Sequence, residues 1–138
     1  MKYDVVQQSL EEFVQTNWTS TNIQFDNVAF NSDLYSEYLR CNVLFGSSAS
    51  KTVTKGCYRQ TGALVLSVFT KPSSGTVRQL ELATIAANIL NDAVINPVLP
   101  LVAPRVILSE PSFHGDNTDR NGWVMAQISC SFYYDFQT

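Results

Sequence analysis

The chain has 138 residues, 45% hydrophobic and 15% charged, and its nine Lys and Arg against twelve Asp and Glu give a formal net charge of -3. Length and apolar content suit a single globular domain over 1–138, which excludes a disordered segment and a small disulfide scaffold. Basic residues are scattered from Lys2 to Arg120, which argues against a sequence-specific nucleic-acid surface or a basic membrane face.

Apolar runs at 63–69 and 93–103 are too short or too proline-broken to cross a bilayer, which takes about 20 residues. Asp4, Glu11 and Glu12 occupy the stretch where a secretory signal needs an apolar centre, so the chain is expected to act where it is made. Cys41, Cys57 and Cys130 form an odd set without a close pair, as reduced thiols do.

In chain order, Val6, Leu10, Phe13 and Val14 recur at helical spacing among Gln and Glu, predicting an amphipathic helix over 2–16. Alternation from Ile23 to Phe30 predicts a short strand. Glu37 to Phe45, with Leu39, Cys41, Val43 and Phe45 on one face, predicts a second. The small, polar and basic tract 46–56 predicts a flexible hairpin loop. Tyr58 to Thr70 is the strongest strand; Ala63 to Phe69 is apolar on both faces apart from Ser67, as in a strand covered on two sides. Thr76 and Gln79 make a capping box for a second helix ending near Asp92. Its stripe of Leu80, Ala83, Ala87 and Leu90 is widened by Leu82, Ile85, Ala86 and Ile89, which predicts a nearly buried helix, one side on the sheet and another available to a neighbouring chain.

Asn96 to Pro104 is a Pro-rich connector, either laid across a sheet edge or a contact arm. A fourth strand is expected over 105–114, broken near Pro111, then a polar turn over 115–122, and a last strand over 123–134. The resulting order α-β-β-β-α-β-β implies an α+β domain, a mostly antiparallel or mixed sheet packed against two helices.

Catalytic chemistry finds little support. His114 with Asp116 and Asp119 lies in a Gly- and Asn-rich stretch without the ligand spacing of a metal site. No cysteine has a nearby histidine, and no nucleophile elbow or phosphate-binding loop occurs. Glu11 and Glu12 point about 100° apart on a helix and cannot share a proton. The cluster Phe132, Tyr133, Tyr134 and Phe136 lacks the positive groove of a base-stacking surface. The reading is a non-enzyme without cofactor or metal. Apolar surplus on the 63–69 strand and the second helix suggests a covering partner, most simply another copy.

Trp18, Ile23–Phe30 (IQFDNVAF), then Tyr38, Arg40 and Val43 before Gly46, Tyr58–Phe69 (YRQTGALVLSVF), and Trp123 with Phe132–Asp135 (FYYD) appear in this order. Together they resemble the tail terminator, or tail completion, proteins of lambda-like long-tailed bacteriophages. The resemblance covers nearly the whole chain. It implies a virion structural protein: a homo-hexameric ring that caps the tail tube, stops its polymerisation and presents the head-joining surface, in the host cytoplasm during assembly and at the head–tail junction in the virion. Implied partners are further copies, the tail-tube protein and a neck protein, with the ring lumen open to passing DNA.

The residues set down for subunit or tube contact are Arg40, Ser47, Ser48, Lys51, Thr52, Lys55, Tyr58 and Arg59, the loop ordering when it meets the tube or a neighbour. Arg59 either pairs with a carboxylate across a subunit boundary or serves within one subunit, and Gly62 either permits a bulge or a close backbone approach. The rival readings are a neck or head-completion adaptor of the same particle and, further off, a small cytosolic enzyme.

Overall fold

In the computed structural model, which describes residues 3–26, 28–31, 37–50, 57–71, 76–95, 105–120 and 123–137, the chain forms two helices and seven strands. These are α1 (Tyr3–Asn17), β1 (Asn22–Gln24), β2 (Glu37–Ser50), β3 (Cys57–Thr70), α2 (Thr76–Leu90), β4 (Val94–Ile95), β5 (Val106–Leu108), β6 (Ser112–Arg120) and β7 (Trp123–Gln137). One sheet runs β1-β2-β3-β7-β5-β4 with β6 beside β7; β1 lies parallel to β2 and the other pairs are antiparallel. The α+β class expected from sequence is the class observed.

Both helices pack on one face of the sheet. Val6, Leu10 and Val14 of α1 and Leu82, Ala83, Ala86 and Leu90 of α2 join Leu39, Leu64, Leu66, Ile128 and Phe132 in one buried cluster. The α1 stripe is the one the sequence spacing indicates. On α2 the stripe is rotated: Gln79 is 2% exposed, whereas Val77, Leu80 and Ile85 are 72%, 45% and 38% exposed. Within the single chain α2 is therefore buried along one side only, the side on the sheet. A helix that is apolar nearly all round does not reveal by periodicity which side meets the sheet. The helix ends at Leu90, and in the turn after it Asp92 has a φ of 53°, in the left-handed region that Asp tolerates.

Several boundaries also move. The first strand closes at Gln24 because Asp26 takes over the edge: its carboxylate accepts from the Val43 N–H at 3.1 Å and from Asn42 Nδ2 at 2.5 Å. β2 does not end at Phe45 but continues to Ser50 opposite Tyr58, past a bulge in which Gly46 and Ser47 face Thr61. The bulge exchanges the two faces of the strand, which erases the alternation that marks one. Residues 51–56 and the connector 96–104 lie outside the described residues. The polar stretch from Gly115 is not a turn as far as Arg120; it pairs with β7 through irregular register. The single fourth strand expected over 105–114 is divided among β5 and β6, and β4 was not foreseen, so five expected strands become seven.

A salt bridge ties the start of α2 to the start of β2. Arg78 Nη2 and Nε donate to Glu37 at 2.6 and 3.0 Å, and Nη1 to Glu81 at 3.3 Å. The hydrogen bond from Arg78 holds Glu37 below the usual carboxylate range, and partial burial opposes it. A carboxylate so depressed stabilises the fold above its unfolded pKa, near 4.5, and that contribution is lost as pH falls through the folded value. With the pair partly exposed and screened, Glu37→Gln is expected to cost about 0.5 kcal/mol at neutral pH. In urea titrations the variant and parent should converge between about pH 5 and pH 3; a gap that persists unchanged at acid pH would contradict the pairing.

Burial pushes the Cys41 thiol up to about 12, with Glu11 and Asp26 adding to the shift, and raises Cys130, whose Sγ donates to the Ser109 carbonyl at 2.9 Å. Cys57 is only half-buried. Thiol reagent added to the folded protein should label Cys57 alone, and all three cysteines in urea; rapid native labelling of Cys41 or Cys130, read by peptide mass spectrometry, would refute this.

Candidate functional site

Among the described residues, no layer covers most of the sheet face away from the helices. It is built from the alternate residues of β2, β3 and β7 that the core does not take: Arg40, Asn42 and Leu44 stand in rows with Ser67, Val65 and Ala63, and then with Gln127, Ser129 and Ser131. At one end, Tyr38, Phe69 and Trp123 make a small second cluster packed by Phe30 and Met125. Tyr38 stacks on Phe69 with ring centroids 4.6 Å apart, and Trp123 meets Tyr38 edge-on at 5.0 Å. This cluster accounts for the two-faced strand. β3 is buried on both sides only toward Ser67–Thr70, while Ala63 and Val65 are half-buried.

Along the middle, Leu44 is 58% exposed beside Thr61, Ala63 and Ser131, which line a shallow groove with Arg59 and Tyr133. The sequence carried a signal for Leu44: it is the apolar residue on the parity of Tyr38, Arg40 and Asn42, the outward one.

The residues singled out from sequence fall in different places. Arg59 lies on the open face, donating Nε and Nη2 to Asp135 at 2.9 and 3.2 Å, with its guanidinium 4.2 Å from the Tyr133 ring centre. Within the chain, Arg59 thus has a carboxylate partner in Asp135. Donating to Asp135 holds the Arg59 pKa above its ordinary value. Arg40 shares this face but sits level with Ser67, about 26 Å along the strand from Arg59. Tyr58 points to the opposite, helix-facing side, stacked on Phe136 at 5.6 Å. Ser47 and Ser48 are exposed at the far end of β2, where the Ser47 carbonyl accepts from Thr61 Oγ1. Lys51, Thr52 and Lys55 lie outside the described residues. The set is therefore not one site: Arg40 and Arg59 share a face, and Tyr58 does not.

Gly62 sits where the sheet is tightest. A Cβ there would lie 2.5 Å from the Leu44 carbonyl oxygen and against the Phe132 ring. It permits the close approach, while the bulge belongs to β2. His114 Nε2 is 2.8 Å from Ser129 Oγ, on a strand rather than in a turn. Among the described residues no three His, Cys, Asp or Glu gather as metal ligands, and no helix is long and apolar enough to cross a membrane.

Residues 3–132 match the family described as phage tail terminator protein. The chain belongs to that family. A solved structure superposes with a TM-score of 0.67 over 95% of this chain and 91% of the other, at 15% identity, a likeness of fold. No curated protein matches the sequence. As a member of a structural phage tail family, this terminator acts in the virion tail and meets tail and head components. Its open sheet face and the exposed ridge of α2 are surfaces that such contacts can cover.

Proposed function

We propose that copies of this chain close into a six-membered ring on the end of the tail tube, where the ring stops polymerisation and offers the surface to which the head is joined. The observation that carries the reading is family membership over 3–132. Two unpartnered surfaces on opposite sides of the domain support it: the ridge Val77, Leu80 and Ile85 on α2, and the sheet face around Leu44. Ring closure is a head-to-tail contact and needs two different patches on each subunit. Assembly takes place in the host cytoplasm, and the finished ring sits at the head–tail junction. In this reading Ser47 and Ser48 at the end of β2, together with Lys51, Thr52 and Lys55 between β2 and β3 in the sequence, reach the tube or a neighbour. The protein works without catalysis or cofactor, its partners being further copies, the tail-tube protein and a neck protein.

Light scattering over a wide concentration range, without and with tail-tube protein, tests this directly. The expected result is a hexamer, alone or once tube protein is present, together with arrest of tube elongation. A chain that stays monomeric with tube protein and instead binds the head connector would be a neck adaptor, and the terminator role proposed here would fall.

A further inference from the structure

The described cations are not all answered. Arg59 and Arg78 pair with carboxylates. Arg40 and Lys71 instead lie over aromatic rings, Arg40 4.9 Å from the centre of Phe69 and Lys71 3.8 Å from that of Trp123. Arg40 Nη2 adds only a 3.9 Å contact to Met125 Sδ. Its Nε is buried without an acceptor, and so is the hydroxyl of Ser67, its register partner, which is 1% exposed. A buried guanidinium N–H without an acceptor is expensive, and no carboxylate among the described residues neutralises the charge of Arg40 or Lys71.

The opposite deficit lies across the sheet. The outer face of α1 presents Asp4, Glu11 and Glu12 along a shallow groove floored by Phe25 and Val28, the latter 58% exposed. None of the three carboxylates meets a cation among the described residues; Glu12 accepts only from Gln8 Nε2 at 3.2 Å. Glu11 is raised by burial and by the nearby Asp26, with a hydrogen bond to Gln7 opposing the shift.

We infer that the Arg40–Lys71 platform of one copy receives the acidic outer face of α1 from the next. The inference rests on the ring reading, and it identifies part of the subunit boundary. Each patch lacks what the other offers, and the two lie on opposite sides of the sheet, as a head-to-tail contact requires. A nucleic acid fits the platform poorly: Tyr38, Phe69 and Trp123 are at most 9% exposed and their ring faces are already taken by one another and by the two cations, which leaves no face for a base.

The test uses two full-length variants, Glu11→Lys/Glu12→Lys and Lys71→Glu, with circular dichroism and thermal midpoint checking that each folds. Assembly is followed by light scattering with tail-tube protein. Each variant alone should need at least about tenfold more protein to assemble than the parent, since an attractive pair at every boundary is replaced by a repulsive one. An equimolar mixture should assemble at lower concentration than either variant alone by alternating, because one boundary then restores the parental pairing and at the other the introduced carboxylate meets the introduced lysines. Arg40→Gln, which keeps a donor but not the charge, should weaken assembly likewise, and this substitution serves if Lys71→Glu does not fold. If the parent assembles and the folded variants assemble equally well, or the mixture gains nothing, the inference is overturned while the ring stands. A parent that never assembles on the tube removes the ring reading, and this inference with it.

Discussion

Gly62→Val is expected to cost about 3 kcal/mol of stability, and Gly62→Ala about 2, from overpacking a site that cannot yield. Gly62 faces the core in β3, paired with Phe45 on one side and Phe132 on the other. An added Cβ meets the Leu44 carbonyl oxygen at 2.5 Å and Phe132 Cε1 at 2.8 Å. The carbonyl belongs to the β2–β3 ladder and cannot retreat without breaking it. The Phe132 ring is held edge-on by Phe45 at a centroid distance of 6.1 Å and is 1% exposed. Valine's preference for strands is worth at most about 1 kcal/mol and does not offset the clash. Urea unfolding followed by tryptophan fluorescence measures the loss; a Gly62→Ala midpoint equal to the parent's would show that the sheet opens there easily.

The second large effect separates the two faces of α2. Leu82→Ala is expected to cost about 3 kcal/mol, because Leu82 is fully buried under the sheet and its truncation leaves a cavity. Leu80→Ala, two residues earlier on the exposed ridge, is expected to change stability by less than about 0.5 kcal/mol. Leu80→Asp should likewise fold as a monomer, yet fail to assemble with tail-tube protein if the ridge is a contact surface. The pair of midpoints decides which face of α2 meets the core. A Leu80→Ala loss as great as that of Leu82→Ala would reverse the assignment.

This helix shows where sequence reading stops. On α1, polar residues fill most of the positions that Val6, Leu10, Phe13 and Val14 leave, so the core face is legible from spacing alone. On α2, Leu80, Leu82, Ile85 and Ile89 surround the axis, and only the sheet to be covered selects Gln79, Leu82, Ala83, Ala86 and Leu90. The same holds for Arg59, whose partner Asp135 is opposite it only because β3 and β7 pair in that register. Nothing local in the sequence ties the two.

Sequence alone determined the α+β class, the α1 core face, the long central strands and the terminator resemblance, because period-2 and period-3.6 burial leave marks within a few residues of one another. The tertiary structure decided the rest: where β2 ends, how far the polar 115–120 stretch pairs with β7, which side of α2 faces out, and which cations find carboxylates. Those outcomes depend on partners far away in the chain, and side-chain chemistry at one position carries no record of what the fold places across from it.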